Sequence, residues 1–373
     1  MKIAILGYGT VGKGVEEIAL RENIEVAHIL MRDTDELYMD NMTADYDEIL
    51  NDGELDCIVE CIGGDEPAHT YVYKALAKGI NVVSSNKKML VKHLKELFEK
   101  AEENKAVLLF SAACGGGIPW LRELSYVRDN EEVCSFRGIM NGTSNYILDQ
   151  MDRKGLDFAD VLREAQKLGY AEADPSDDID GVDTANKVIL SSAVAFRRYF
   201  RLEDVFVRGI RHLQKEDLEY AKKNGYRIVL LGKGMKKDER YHLSVMPAFV
   251  PKDTILGSVH DNYNCFTLDS ADLRNMVFIG QGAGSLPTAS NVIRDIRTLE
   301  RPYMTRPEEE ERPDNGLLKN AYYLRTDRDI GQEYIYRKLS SGAYLTKKIS
   351  IEELQEICGE NDFTGVFEDD QGM

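Results

Sequence analysis

KIAILGYGTVG, residues 2–12, decides the fold. An apolar, β-branched run ends in a turn whose glycines stand at 7, 9 and 12, the spacing GxGxxG. Gly7 permits a tight turn, Gly9 lets backbone approach a pyrophosphate, and Gly12 lets the next helix pack closely on the strand. Thr10 and Val11 lie inside the turn. The helix they open offers N–H groups and its positive dipole end to phosphate.

GxGxxG is informative only in context, and here the context supports it. Four more apolar runs follow: EVAHILM (25–31), CIVECIG (57–63), NVVSS (81–85) and AVLLFSA (106–112). Helix-like stretches such as AHTYVYKALAKG (68–79) and LVKHLKELFEKAEENK (90–105) lie between them. Strands alternating with helices imply a Rossmann-type, doubly wound parallel sheet, here a dinucleotide-binding domain over 1–130. The side chain that reads the adenosine ribose falls about twenty residues beyond the glycines, near Arg32. An arginine there favours the 2′-phosphate of NADP, whereas the adjacent Asp33 would suit NAD, so the cofactor is NADP or NAD.

After residue 130 the pattern changes. A strand, CSFRGIM (134–140), leads into a helix, SNYILDQM (144–151), and helical stretches follow near 158–168 and 183–199. Strand-like runs then come without regular helices between them, at 227–234, 241–250 and 276–282. This predicts an α+β domain over 131–284 with a mixed or antiparallel sheet. TASNVIRDIRTL (288–299) is a helix that would return to the first domain, completing it over about 285–305. A polar linker, RPEEEERPDNG (306–316), precedes a tail, 317–373.

The formal charge is −18, which disfavours nucleic acid and anionic membrane as partners. No apolar run is long enough to span a bilayer, and the N-terminus runs straight into the glycine turn rather than into a signal peptide. The six cysteines are scattered, without a CxxC pair, as expected of reduced thiols in the cytoplasm. Cys57 and Cys61 share one apolar run and read as core residues.

The segment GYAEADPSDDIDGVDTANKVIL (169–190) carries the chemistry. Six carboxylates fall between Glu172 and Asp183, ahead of an apolar helix. Asp180, Asp183 and Lys187 share one face of that helix. Lys187 is thus a cation on a largely buried helix with an aspartate one turn before it. A plain i,i+4 ion pair is one reading. The other is an amine that exchanges a substrate hydroxyl proton while hydride moves to nicotinamide, with the spare carboxylates holding a substrate ammonium.

Seven ordered motifs give the chain its resemblance, which covers roughly residues 1–300. They are GYGTVG (7–12), IVECIGGDEPA (58–68), VVSSNKKML (82–90), ACGGGIP (113–119), GIMNGTSNYIL (138–148), the 169–190 segment and GQGAGSLPTASNV (280–292). Together they resemble homoserine dehydrogenase. The resemblance implies interconversion of L-homoserine and L-aspartate 4-semialdehyde, in threonine and methionine synthesis, by a homodimer formed through the second domain, with the active site in the cleft between the domains. It implies Lys187 as proton donor and acceptor, and Glu172, Asp178 and Asp183 facing the substrate amino group and the lysine. Lys87 matches a second active-site lysine that also borders the cofactor. Thr143 and Tyr170 would border the substrate, and Ile62, Gly63 and Gly282 the nicotinamide. A monovalent cation, often sodium, is held in the family by backbone carbonyls, here at Ser111, Cys114, Gly116 and Ile118. Ser111 stands where the family usually has Glu, and Cys114 where it usually has Val.

Two rivals exist. SAACGGG (111–117) would suit a thiol-dependent semialdehyde dehydrogenase with Cys114 as nucleophile. A non-catalytic nucleotide sensor is the other, and intact Lys87, Asp183 and Lys187 argue against it. The tail resembles an ACT regulatory domain in NAYYLRT (320–326). It has DRDIG where that domain has a DxPG turn, and it is short. It therefore reads as a degenerate ACT-like unit that packs on its own chain or a partner, with IEELQEI (351–357) as a helix, FEDDQGM (367–373) as a frayed end, and activity surviving its removal.

Overall fold

The computed structural model describes residues 1–33, 38–340 and 342–368. One compact unit is Met1–Glu132 with Leu190–Tyr199 and Gly280–Glu310. Its sheet runs Met42–Thr43, Glu25–Leu30, Lys2–Leu6, Cys57–Glu60, Asn81–Ser84, Leu108–Leu109, every pair parallel. Strand order reverses beside Lys2–Leu6, and the carboxyl ends at such a switch point are where open α/β sheets bind ligands. Ile3, Ala4, Ile5, Leu6, Ile58 and Val59 are fully buried, as central strands covered on both faces must be. Met42–Thr43 was not expected, because two residues are too few to show a period. The run at 106–112 keeps only Leu108–Leu109 as strand, since the chain turns into a 3-10 helix at Ser111–Ala113.

Gly12 has to be glycine. A Cβ there would lie 2.1 Å from the Gly7 carbonyl oxygen, while Gly7 itself holds a left-handed φ of +91°. The helix Lys87–Glu103 starts at Asn86, whose side chain accepts from the Met89 N–H at 3.2 Å. Met89, Leu90, Leu94, Leu97, Phe98 and Ala101 give it one buried face. The helix Ser285–Ile296 packs against Thr10–Arg21 so closely that Ser285 Oγ donates to the Thr10 carbonyl at 2.6 Å.

The second unit is Val133–Ile189, Phe200–Ile279 and Glu311–Met373. It is built on a ten-stranded mixed sheet. At its centre, Tyr226–Lys237 and Arg240–Pro251 form a long antiparallel hairpin. Val133–Ile139, Tyr263–Ser270 and Arg274–Gln281 extend it on one side. On the other side come the tail strands: Phe363–Phe367 pairs parallel with Arg240–Pro251, followed by Tyr322–Arg325, Ala343–Thr346 and Ile335–Ser340. One apolar cluster unites Val229, Leu231 and Met246 of the hairpin with Tyr322, Leu324, Leu354 and Val366 of the tail.

The helix Ile351–Ile357 opens with a capping box between Ser350 and Glu353. Glu368 is buried, 2.9 Å from both Lys233 Nζ and Arg137 Nη1. Burial alone would raise its carboxyl, but Lys233 and Arg137 outweigh burial and hold it below the usual range. The frayed acidic end expected at 367–373 lies outside the described residues from 369 onward. Among the described residues no helix is long and apolar enough to cross a membrane.

Candidate active site

In the first unit, two loops meet at the switch point. A Cβ on Gly7 would lie 3.1 Å from the Cys61 carbonyl oxygen and 3.2 Å from Ile62 Cγ1, so the glycine turn touches the loop that follows Cys57–Glu60. At Gly9, by contrast, a Cβ would meet nothing within 4 Å. Gly9 begins the helix Thr10–Arg21, whose N-terminus has no side-chain cap. Thr10 and Gly9 are exposed, with Val11 half-buried. An open cradle at an uncapped helix N-terminus fits a dinucleotide pyrophosphate. Arg32 and Asp33 lie exposed just past the strand Glu25–Leu30.

Glu60 organises the second loop, a role its sequence position did not reveal. Its carboxylate is fully buried. It accepts from the Ile62 N–H at 2.7 Å and the Ser84 hydroxyl at 2.5 Å. Burial pushes its carboxyl up to about 7, with the donors from Ser84, Ile62 and Asn86 pulling the other way. Asn86 Nδ2 donates to the carbonyls of Ile62 and Gly64 at 2.9 and 2.7 Å. One asparagine thus fixes the loop carrying Ile62 and Gly63 and caps the helix that begins at Lys87.

The loop at 111–118 does not fit a cation. The Ile118 carbonyl already accepts from Asn291 Nδ2 at 2.9 Å and from the Trp120 N–H at 2.8 Å, which uses both of its lone pairs. Asn291 Nδ2 also donates to the Gly116 carbonyl at 2.5 Å, and the Ser111 carbonyl accepts from the Cys114 N–H at 3.3 Å. Arg294 Nη1 donates to Asn291 Oδ1 at 2.8 Å, which fixes the amide's orientation. The amide of Asn291, buried to 1 % exposure, therefore sits where a cation would draw these oxygens together. Gly116 also packs against the Gly282 backbone, where a Cβ would come within 2.5 Å of the Gly282 carbonyl carbon.

Asp295 accepts from the Ser111 N–H and hydroxyl at 2.8 and 2.7 Å, and burial pushes its carboxyl up to about 6. Cys114 is fully buried with its thiol 3.8 Å from Ser191 Oγ. A nucleophile must meet its aldehyde, and this sulfur is enclosed, which removes the thiol-dependent reading.

The second unit holds the lysine. The helix Val182–Phe196 buries Ala185, Val188, Ile189 and Leu190 and carries Asp183 and Lys187 one turn apart. Lys187 Nζ donates to Asp183 Oδ2 at 2.7 Å and to the Met140 carbonyl at 2.6 Å, and both side chains are largely buried. Asn141 joins this pair to Asp178. Asn141 caps the helix Gly142–Lys154, where its Oδ1 accepts from the Ser144 N–H at 2.7 Å. With Oδ1 committed, both amide hydrogens point at carboxylates, Asp178 at 2.6 Å and Asp183 at 2.8 Å. Burial, and then the charge of Asp183, raise the Asp178 carboxyl, while Asn141 and Thr143 lower it.

Thr143 Oγ1 donates to the Tyr170 carbonyl, and the Tyr170 ring, 40 % exposed, meets Tyr146 edge-on. Glu172 is exposed on the same loop, where Gln166 Nε2 donates to its carbonyl at 3.1 Å. The structure thus gathers Lys187, Asp183 and Asp178 around Asn141 and leaves the Glu172 side chain in solvent. Asn141 and the Met140 carbonyl escaped the sequence reading because a helix cap fully accounts for an asparagine before GTSN.

A family model described as homoserine dehydrogenase matches residues 119–296, and one described as its NAD binding domain matches 7–111. A curated homoserine dehydrogenase of Pseudomonas aeruginosa is 35% identical over 87% of this chain and 81% of its own. One of Synechocystis is 37% identical over 79% of this chain and 72% of its own. The crystal structure of a homoserine dehydrogenase from Thiobacillus denitrificans aligns with a TM-score of 0.87 at 30% identity, over 99% of this chain and 98% of that one. A hyperthermophilic archaeal homoserine dehydrogenase in complex with NADPH aligns with a TM-score of 0.69 at 25% identity, over 82% of this chain and 99% of that one. The chain belongs to the homoserine dehydrogenase family, NAD(P)-dependent oxidoreductases that act on a CH–OH group.

Proposed function

We propose that Lys187 carries the hydroxyl proton as L-homoserine and L-aspartate 4-semialdehyde interconvert. The observation that carries this reading is the buried ion pair of Lys187 and Asp183, tied to the Met140 carbonyl. In the oxidative direction the carbinol loses a hydride and its hydroxyl loses a proton. The nicotinamide, when bound, supplies the hydride acceptor. The Lys187–Asp183 ion pair is the state after proton transfer. As the neutral amine, Lys187 keeps its two N–H groups on Asp183 and the Met140 carbonyl and takes the proton on its lone pair, and the same two acceptors then hold the ammonium in place. Reduction of the aldehyde returns the same proton from the same atom.

Asp178, held by Asn141, faces the substrate ammonium, with Glu172 reaching it from the exposed side of the loop. Thr143 and Tyr170 border the substrate, and Lys87 supplies a second cation. The Gly7–Gly12 turn holds the pyrophosphate, and Ile62, Gly63 and Gly282 line the nicotinamide side. Arg32 favours NADP over NAD, in line with the NADPH named for the archaeal relative. No sodium ion takes part, because the Asn291 amide already donates to two of the carbonyls that would hold it, Gly116 and Ile118. The enzyme works as a cytoplasmic homodimer in threonine and methionine synthesis, binding neither nucleic acid nor membrane. The test is direct: purified protein with L-homoserine and NADP or NAD, followed at the reduced-nicotinamide absorbance band. L-homoserine-dependent reduction is expected. Failure with both cofactors, at neutral and alkaline pH, would overturn the reading.

A further inference from the structure

The carbonyl that holds Lys187 is itself held by a side chain from another element. Asn264 lies on the strand Tyr263–Ser270 and is fully buried. Its Nδ2 donates to the Met140 carbonyl at 2.9 Å, and Lys187 Nζ donates to the same oxygen at 2.6 Å. A backbone carbonyl has two lone pairs, and these two donors match them. Met140 follows the strand Val133–Ile139, where Cys265 pairs with Ile139, so Asn264 stands opposite Met140. Two close approaches fix that placement. A Cβ on Gly138 would lie 2.4 Å from the Cys265 carbonyl oxygen, and one on Gly142 would lie 2.7 Å from that of Asn262. The chain entering the strand is also tied to the helix Gly142–Lys154, because Asn145 Nδ2 donates to the Asp261 and Tyr263 carbonyls at 3.0 and 3.2 Å.

The peptide joining Met140 to Asn141 serves the site twice. Its carbonyl receives the Lys187 amine, and the Asn141 side chain beyond it donates to Asp178 and Asp183. Rotating this peptide would take the carbonyl off the lysine and swing Asn141 off both carboxylates. The hydrogen bond from Asn264 opposes that rotation. Packing alone does not account for an amide at this position. Its neighbours Cys265, Phe266 and Leu268 are fully buried, and Asn264 Oδ1 has no hydrogen-bond partner among the described residues. A buried acceptor left unmet is destabilising, so leucine, nearly the same shape, would be the better core residue. Turning the amide over would set Oδ1 against the Met140 carbonyl oxygen, acceptor against acceptor. What asparagine supplies and leucine lacks is the N–H to Met140.

We propose that Asn264 is a positioning residue for proton transfer: its amide N–H fixes the Met140 peptide, and that peptide holds the Lys187 amine against Asp183. The proposal rests on Lys187 as the group that carries the hydroxyl proton. Lys187 has to aim one lone pair at the substrate hydroxyl while its N–H groups stay on Asp183 and Met140. A misplacement of about 1 Å in such a group costs about 10²-fold in rate. Asn264 therefore acts on the reaction through the Met140 peptide, from a fully buried position of its own.

The experiment compares Asn264→Leu with the wild-type chain in L-homoserine oxidation. The variant should lower kcat by about 10–100-fold, with the KM for the nicotinamide cofactor within about twofold, because the Gly7–Gly12 turn is untouched. The primary isotope effect with L-homoserine deuterated at the carbinol carbon should rise, since a slowed chemical step limits turnover more fully. A residue that only supports the fold would reduce the amount of active enzyme and leave that isotope effect at its wild-type value. Asn264→Thr keeps a strand former whose hydroxyl is too short to reach Met140. It should behave alike, and it decides the matter if the leucine variant does not fold. Residues that act as a unit do not add, so Lys187→Ala/Asn264→Leu should turn over within about threefold of Lys187→Ala. A kcat within about threefold of wild type, a lowered kcat with the wild-type isotope effect, or a full additive loss in the double variant would each overturn the proposal. Lys187→Ala at near wild-type turnover would instead overturn the reading of Lys187 on which it rests.

Discussion

Replacing Glu60 by Gln should remove a defined pH dependence from the stability of the nucleotide unit. The carboxyl is fully buried, and burial lifts it from an ordinary 4.5 to about 7. A native state that holds the proton more tightly than the unfolded chain is most stable where both are protonated. The stabilisation is therefore complete below about pH 4.5, declines as pH rises, and is gone above about pH 7. The rise to about 7 corresponds to about 3 kcal/mol, of which about 2–3 kcal/mol falls between pH 5 and 8. Glutamine cannot ionise, yet its amide oxygen can still accept from the Ile62 N–H. Urea melts followed by Trp120, the only tryptophan in the chain and fully buried in the same unit, report the relevant unfolding. The stability difference, wild type minus variant, should fall by about 2–3 kcal/mol from pH 5 to 8. Asp295, pushed up to about 6, titrates in both proteins and cancels. A difference that stays level within about 0.5 kcal/mol would refute the assignment, since that is the size of an ordinary surface effect.

Lys187→Ala should lower turnover by about 10²–10⁴-fold, the usual worth of a positioned acid or base, while leaving NADP affinity near wild type. Turnover within threefold would remove Lys187 from the reaction. Asp183→Asn should also reduce turnover, because the ammonium loses its counter-charge. Arg32→Ala should weaken NADP selectively, read from the KM for each cofactor, and an equal loss for NAD would show that Arg32 does not read the 2′-phosphate. Turnover should be the same in sodium chloride and tetramethylammonium chloride, because Asn291 supplies the donor to Gly116 and Ile118. A fivefold advantage for sodium would contradict that. Removing residues 317–373 should unfold the second unit rather than release an independent tail, since Lys233 and Arg137 would lose Glu368. Breaking a buried charge pair costs about 3–5 kcal/mol, and a soluble, active truncation would refute this.

The doubly wound sheet could be read in the sequence because its evidence is local. Apart from Met42–Thr43, each strand of the parallel sheet lies in an apolar run next to its own helix, and the glycine spacing in residues 7–12 states a backbone requirement that the Gly7–Gly12 contact makes explicit. The large sheet was harder to read. Phe363–Phe367 lies between Arg240–Pro251 and Tyr322–Arg325, more than a hundred residues from its parallel neighbour. No periodicity in a tail strand says which edge it will join. The tail therefore reads as an appendage in sequence, although its side chains share one core with the hairpin.

The same distinction explains the site. Asp183 and Lys187 could be paired in advance because helix geometry puts residues four apart on one face. Asn141, Glu60 and Asn291 could not. Each is a polar side chain whose partners are distant in sequence: Asp178 and Asp183 for Asn141, Ser84 for Glu60, Gly116 and Ile118 for Asn291. Glu60 left one trace, a carboxylate inside the apolar run DCIVECIG. A buried charge without partners is too costly to keep, so that glutamate implied donors the sequence could not name. Asn291 left no trace, since an amide on an amphipathic helix satisfies every local rule. Its effect comes entirely from the carbonyls it meets. A motif can carry a loop from relative to relative, while one side chain more than a hundred and fifty residues away decides whether an ion or an amide holds that loop closed.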